Sequence, residues 1–302
     1  MRKTVGIIIL YFVICLILPY LITTVMSGSR KGNKAENVAN TVDSTQDTES
    51  EITDVTDNII RTVAAYYEAG DSAEFLKALA IVVRTYEETM KGDGTGDTPA
   101  AFVPDSLSYK EMQAEWGDYY PAYYEAITDA VEATEGIIMT VDEGKMLPYF
   151  CVLSAGYTRS IENSCLTMTN CSDDLQSPDY ISIISFSQDE LASKIKKAYS
   201  DVSIEGKISE AFQVVSRDES GYITCLMVGN LTLSGDELAE VLSLPSGNFI
   251  ISSGGDNVIF TVKGIGAGYG MSLYSARKKA ASGAGYEEIL YYYYKNIQIT
   301  GE

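Results

Sequence analysis

The sequence predicts an α+β fold: a single mixed helix-and-strand domain behind an N-terminal transmembrane helix. Three observations carry this. The run from Val5 to Met26 contains no charged side chain. Beyond it, Ala- and Leu-rich stretches of helical length mix with short β-branched runs in no strict βαβ order. Near the C-terminus, Val258–Lys263 reads as a strand, the next seven residues carry glycine at every second position, and Tyr274–Ala281 reads as a helix stopping at Gly283.

The elements follow in order. Residues 1–4 are a short tail, with Arg2 and Lys3 ahead of the apolar run. About twenty apolar residues span a bilayer, so residues 5–26 read as an uncleaved anchor, with Pro19 tolerable inside it. The rival is a cleaved signal peptide. Its apolar part would be shorter and end in a small-x-small site, which Ile22–Met26 does not offer. Arg30, Lys31 and Lys34 nearly balance the preceding charges, so charge alone does not orient the helix. Residues 27–57 read as a solvated, disordered stalk: acidic, free of aromatics, and with no basic residue after Lys34.

The folded domain occupies residues 58–302. Phe75–Tyr86 reads as a buried helix, capped by Asp71 or Ser72, with Glu74 in its first turn and a stop at Gly92–Gly96. Pro121–Val131 reads as a second helix. Gly136–Val141 and Pro148–Leu153 read as two strands joined by a hairpin turn at Asp142–Lys145. Further helices are expected at Gln188–Tyr199, Gly235–Ser243 and Tyr286–Tyr294, and strands at Tyr222–Val228 and Phe249–Ser252.

Composition excludes several chemistries. The chain has 302 residues, a net charge of -20 and no histidine. That removes Ser-His-Asp and Cys-His catalysis and His-ligated zinc. The acidic balance argues against a nucleic-acid partner. The glycine loop is neither a dinucleotide fingerprint nor a phosphate loop: no register gives Gly-x-Gly-x-x-Gly, and no Gly-Lys-Ser/Thr closes it. Its glycines permit positive φ or close approach of the backbone to something large. A tight turn without a ligand is the competing reading.

Gly264-Ile265-Gly266-Ala267-Gly268-Tyr269-Gly270-Met271-Ser272-Leu273-Tyr274-Ser275-Ala276 resembles, without a gap, a signature of the stage II sporulation protein D and amidase enhancer family (SpoIID/LytB). There the segment runs Gly-Trp-Gly-His-Gly-Val-Gly-Met-Ser-Gln-Tyr-Gly-Ala. The histidine is Ala267 here and the glutamine is Leu273. Leu76-Lys77-Ala78-Leu79-Ala80 with Arg84-Thr85-Tyr86 resembles the family's Leu-Lys-Ala-Gln-Ala helix ending in Ala-Arg-Thr-Tyr. Ala130–Gly136 is similar to Ala-Val-x-x-Thr-x-Gly. Phe150–Thr158 is similar to Phe-His-Ser-x-Ser-Gly-Gly-x-Thr, with Cys151 at the histidine. Ser234–Ala239 is similar to Ser-Gly-x-x-x-Arg, with Ala239 at the arginine. The resemblance covers about residues 59–297, nearly the whole folded part.

The resemblance implies a membrane-anchored, single-pass protein whose domain faces the extracytoplasmic side and binds peptidoglycan glycan strands. Active members resemble lytic transglycosylases acting on strands that have lost their stem peptides. One carboxylic acid protonates the glycosidic oxygen, then acts as base while the sugar's 6-hydroxyl closes the ring; no second carboxylate is needed. The family's glutamate aligns with Tyr66, and the nearest carboxylate is Glu68. Glu68 is either the general acid, shielded by Tyr66 and Tyr67 in a poorly solvated cleft, or a solvated loop residue. Substrate-binding candidates are Tyr66, Lys77, Arg84, Ser154, Thr158, Gly266, Gly268, Gly270, Ser272 and Tyr274; Lys77 and Arg84 serve equally as structural pairs. Because family histidine, glutamine and arginine positions are apolar or cysteine here, the alternative is a catalytically inactive paralogue that scaffolds or activates another wall hydrolase or sporulation protein. No cofactor is expected apart from zinc, which some relatives bind. Cys151, Cys165 and Cys171 are the three thiolates that would hold it, and they are expected to lie together. A disulfide or free thiols are the other readings.

Overall fold

In the computed structural model, residues 55–91, 103–204 and 206–301 are described. The apolar run 5–26, most of the acidic stalk and the Gly92–Gly96 helix stop lie outside the described residues. Among the described residues no helix is long and apolar enough to cross a membrane.

The first helix, α1 (Val55–Ala65), begins inside the acidic stretch and buries Ile59, Ile60, Val63 and Ala64. The second, α2 (Ala73–Lys91), forms the spine of the core. The Ser72 hydroxyl caps it, accepting from Phe75 N at 3.3 Å. Phe75, Leu76 and every residue from Ala78 to Val83 are at most 1% exposed. A helix apolar around most of its circumference must be covered on several sides. Here α1 packs against it, as do α4 (Tyr120–Glu132), α8 (Tyr286–Tyr293) and strand β1 (Ile138–Val141). Between α2 and α4 in the chain lies α3 (Tyr109–Trp116), a helix the sequence does not predict. It opens with a reciprocal Ser108–Glu111 capping box.

The expected hairpin does not form. Strand β1 pairs antiparallel with β10 (Ile297–Thr300), and β2 (Phe150–Cys151) pairs in parallel with β9 (Met271–Ser272). The turn at Asp142–Lys145 instead runs against Asn163 and Ser164, with Lys145 N donating to Asn163 O at 2.8 Å. Gly144, at φ +86°, has no room for a Cβ beside that carbonyl. The turn residues make a turn, but the strands on either side of it pair with the C-terminal part of the chain.

The other sheets belong to a second hydrophobic core. Strands β3 (Ile181–Ser187), β8 (Asn257–Lys263) and β7 (Phe249–Gly254) form one antiparallel sheet in the order β3-β8-β7. Strands β4 (Phe212–Arg217), β5 (Ile223–Val228) and β6 (Leu231–Leu233) form another. Helices α5 (Gln188–Ala198) and α6 (Gly235–Leu242) bury Leu191, Ile195, Leu238 and Leu242 against Phe249 and Phe260. Helix α7 (Leu273–Ala281) returns the chain to the first core through Leu273, Ala276 and Ala280. The fold is therefore mixed helix and strand, with two cores inside one compact unit, 52–302. The glycine loop is the link between them: β8 belongs to the second core, β9 and α7 to the first.

Candidate functional site

The loop's four alternate glycines all have positive φ, between +71° and +98°. L residues with a Cβ strain there. Their neighbours explain the spacing. A Cβ on Gly264 would sit 2.7 Å from Leu153 O, on Gly268 2.3 Å from the Tyr222 ring, and on Gly270 1.6 Å from Tyr149 O. On Gly266 it would sit 3.2 Å from the Cys151 Cβ. The close backbone approach that the sequence anticipated is thus made by the chain itself, against residues 149–154 and Tyr222. Ile265 and Leu153 exchange both backbone hydrogen bonds, at 2.7 and 3.1 Å.

Below the loop lies a buried carboxylate. Asp174, in the 3₁₀ turn Ser172–Gln176, is fully buried. It accepts from Ser154 N and Oγ at 2.8 and 2.6 Å, from Ser272 Oγ at 2.8 Å and from Ser275 Oγ at 2.7 Å. Burial pushes its acid up from the ordinary 3.8, and the three hydroxyls oppose the shift. Ser154 and Ser272, expected to bind substrate, are 0% exposed and belong to this cluster. Thr158 is also buried, donating to Thr167 O and accepting from Thr169 N. All three orient the loop and the strand beside it.

A second cluster ties the two cores together across the loop. The Arg159 guanidinium lies between the Tyr222 and Tyr269 rings, 4.6 and 4.4 Å from their centroids. It donates from Nε to Asp218 at 2.7 Å and from Nη1 to Asp236 at 2.6 Å and to Ala267 O at 3.1 Å. Planar stacking with forked donation is what guanidinium provides and ammonium does not. Ala267, where the family signature carries histidine, is exposed next to this cluster.

Glu68 sits in the turn between α1 and α2. Its side chain is 54% exposed, with Oε1 3.2 Å from Arg277 Nη1 on α7. The poorly solvated cleft expected around it is absent, because the neighbouring tyrosines pack elsewhere. Tyr66 meets Phe150 edge-on at 4.9 Å and its hydroxyl accepts from Asp105 N at 2.8 Å; burial pushes that phenol up to about 12. Tyr67 turns toward Trp116 and Tyr123. The buried acid of this turn is Asp71, with a side chain only 3% exposed. It accepts from Arg277 Nε at 2.7 Å and from Glu68 N at 2.8 Å. Burial raises its acid and Arg277 opposes that shift. Arg277 also donates to Tyr66 O and stacks 4.6 Å over Phe75. One guanidinium therefore organises the whole turn.

The remaining candidates are dispersed. Lys77 pairs with Glu74 at 2.9 Å. Arg84 is buried and donates to Val131 O, Thr134 Oγ1 and Ile137 O, closing the C-terminal end of α4. Tyr274 is half-buried with Lys278 over its ring at 5.2 Å. Cys151, Cys165 and Cys171 are buried free thiols. Burial pushes the Cys171 thiol up to about 12 and the Cys151 thiol well up. Among the described residues no three His, Cys, Asp or Glu side chains are grouped to hold a metal ion. Cys165 exchanges hydrogen bonds with the Leu147 backbone, and Cys171 donates to Thr169 O.

The sequence offers Asp71 only as a helix cap, and it assigns no role to Asp174, Arg159 or Arg277. Arg277 lies one residue beyond the glycine signature. Asp174 and Arg159 carry no local pattern, since their partners lie 20 to 108 residues away.

Comparison with known proteins adds independent findings. A family model described as Stage II sporulation protein matches residues 43–141. The chain is 30% identical over 259 residues to Stage II sporulation protein D of Bacillus subtilis (strain 168), covering 80% of this chain and 73% of that protein. It is 28% identical over 258 residues to Stage II sporulation protein D of Bacillus amyloliquefaciens, with the same two coverages.

Proposed function

Because this chain belongs to the stage II sporulation protein D family, which carries a sporulation-related cell-wall function, we propose that it binds stem-peptide-free glycan strands of peptidoglycan on the extracytoplasmic side of a membrane, anchored by residues 5–26. The observation that supports a role in cutting those strands is the Glu68 turn. It presents a half-exposed carboxylate that the Arg277 fork and Asp71 hold in place. In the transglycosylase reaction the Glu68–Arg277 pair opens, the freed carboxylate takes up a proton from water, and the resulting acid gives that proton to the glycosidic oxygen as the C1–O bond breaks. The sugar's 6-hydroxyl then attacks C1 and returns a proton to the carboxylate. The acid is regenerated and no water is consumed.

A second reading has its own support. Family polar positions are Leu79, Ala239, Ala267 and Leu273 here, and Glu68 lacks a dry surround. A domain in that condition scaffolds or activates another wall hydrolase. Mass spectrometry of digested stem-peptide-free strands separates the two. The first reading gives anhydro-sugar ends with the native chain and a loss of about a hundredfold or more with Glu68→Gln. Binding without any anhydro product gives the second.

A further inference from the structure

Beyond the Glu68 turn the chain carries two tyrosine pairs, Tyr119–Tyr120 and Tyr123–Tyr124. The structure collects them on one surface. Helices α3 and α4, joined by the 3₁₀ turn Gly117–Tyr119, present their rings in two rows. In the first, Tyr67 meets Tyr123 at 4.9 Å and Tyr123 stacks on Tyr119 at 5.6 Å and 12°. In the second, Trp116 stacks on Tyr120 at 6.2 Å, and Tyr120 on Tyr124 at 5.6 Å. Spacing by four along a helix produces such columns.

This surface is not a core. Tyr119 is 65% exposed, and Tyr67, Tyr120 and Tyr123 are half-buried. Among the described residues the hydroxyls of Tyr119, Tyr120 and Tyr123 have no hydrogen-bond partner. A contiguous row of aromatic rings that keeps one exposed end and half-buried faces at the surface is suited to binding. Tyrosine offers a rigid apolar face together with a polar tip, at little cost in conformational entropy.

We infer that this platform is a second glycan-binding surface, on which a peptidoglycan strand lays its sugar faces before it reaches Glu68. The inference rests on the reading of the protein as a glycan binder. Continuity supports this occupant: Tyr67 is the chain neighbour of Glu68, so the first row starts beside the candidate acid and leads away from it. Chemistry supports it too. Sugar rings bring C–H faces for the phenol rings and hydroxyls for the free phenolic oxygens.

The chain contains one tryptophan. Trp116 lies beneath the platform, 8% exposed and in ring contact with Tyr67, Tyr120 and Tyr123. Its emission is therefore a built-in reporter. Titrating the full chain with stem-peptide-free glycan strands should change Trp116 fluorescence saturably. Tyr119→Ala combined with Tyr123→Ala should weaken that binding about tenfold or more, the loss expected for two aromatic faces. The corresponding Phe double variant keeps the faces and should retain most of the affinity. Far-UV circular dichroism and the thermal midpoint check that both variants fold. Native-like affinity in the folded Ala double variant overturns the platform but leaves the glycan-binding reading standing. Absence of any binding by the native chain, measured by co-sedimentation as well as fluorescence, overturns the reading itself.

Discussion

Replacing Gly270 with alanine tests whether the glycine loop is shaped by the protein's own backbone. A Cβ there would lie 1.6 Å from Tyr149 O, 2.4 Å from Tyr149 C and 3.2 Å from Phe150 N. All three are main-chain atoms of a segment that pairs with β9, and Met271 N donates to Tyr149 O at 3.1 Å. The strand must move, breaking that bond at about 1 kcal/mol. Overpacking adds about 1–3 kcal/mol. Holding alanine at a left-handed φ of +71° adds about 1–2 kcal/mol. The sum, about 3–6 kcal/mol, is a large part of a typical domain stability of about 5–15 kcal/mol. Gly283 is the control. Its φ is +100°, but a Cβ meets nothing within 4 Å, so Gly283→Ala costs backbone strain alone, about 1–3 kcal/mol. Urea unfolding of residues 52–302, followed by circular dichroism, measures both. Equal destabilisation by the two substitutions would refute the argument, because it would mean that φ alone demands glycine at 270.

Two further predictions concern the buried acid and the anchor. The Asp174 carboxyl is raised above 3.8 in the folded chain, so between 3.8 and the raised value the folded state binds more protons than the unfolded. Its contribution to stability then increases as pH falls through that window. The stability gap between the native chain and Asp174→Asn should widen as pH drops from 7 toward 4; a gap that narrows contradicts a raised folded value. The full chain should pellet with membranes, while a chain starting near Asp57 stays in the supernatant. Recovery of a mature protein cleaved after Met26 would remove the anchor.

Helices were the most legible part of the sequence, because apolar periodicity and capping are local. Phe75–Tyr86, Pro121–Val131 and Gly235–Ser243 each fall on an observed helix, within a few residues at either end. Pairing was less legible. Gly136–Val141 contains a true strand, yet its partner is the last strand of the domain, and no local signal announces a contact over some 160 residues. The glycine spacing was visible, but its cause was not: Tyr149 and Tyr222 fill the space that a ligand was expected to use. The candidate site was legible only as a neighbourhood. Glu68 was found by its place before the helix, whereas the guanidinium that holds it comes from Arg277, 209 positions later by subtraction of the two residue numbers. Buried charge clusters such as Asp174 with three serines are assembled by tertiary contacts between residues that look ordinary in sequence.

The central claim is that this domain recognises peptidoglycan sugar strands. The most direct measurement is co-sedimentation of the full chain in detergent with purified glycan strands, prepared with and without their stem peptides. The account predicts saturable pelleting with the stem-peptide-free strands and weaker pelleting with intact ones. Equal recovery in the supernatant with both preparations would contradict it.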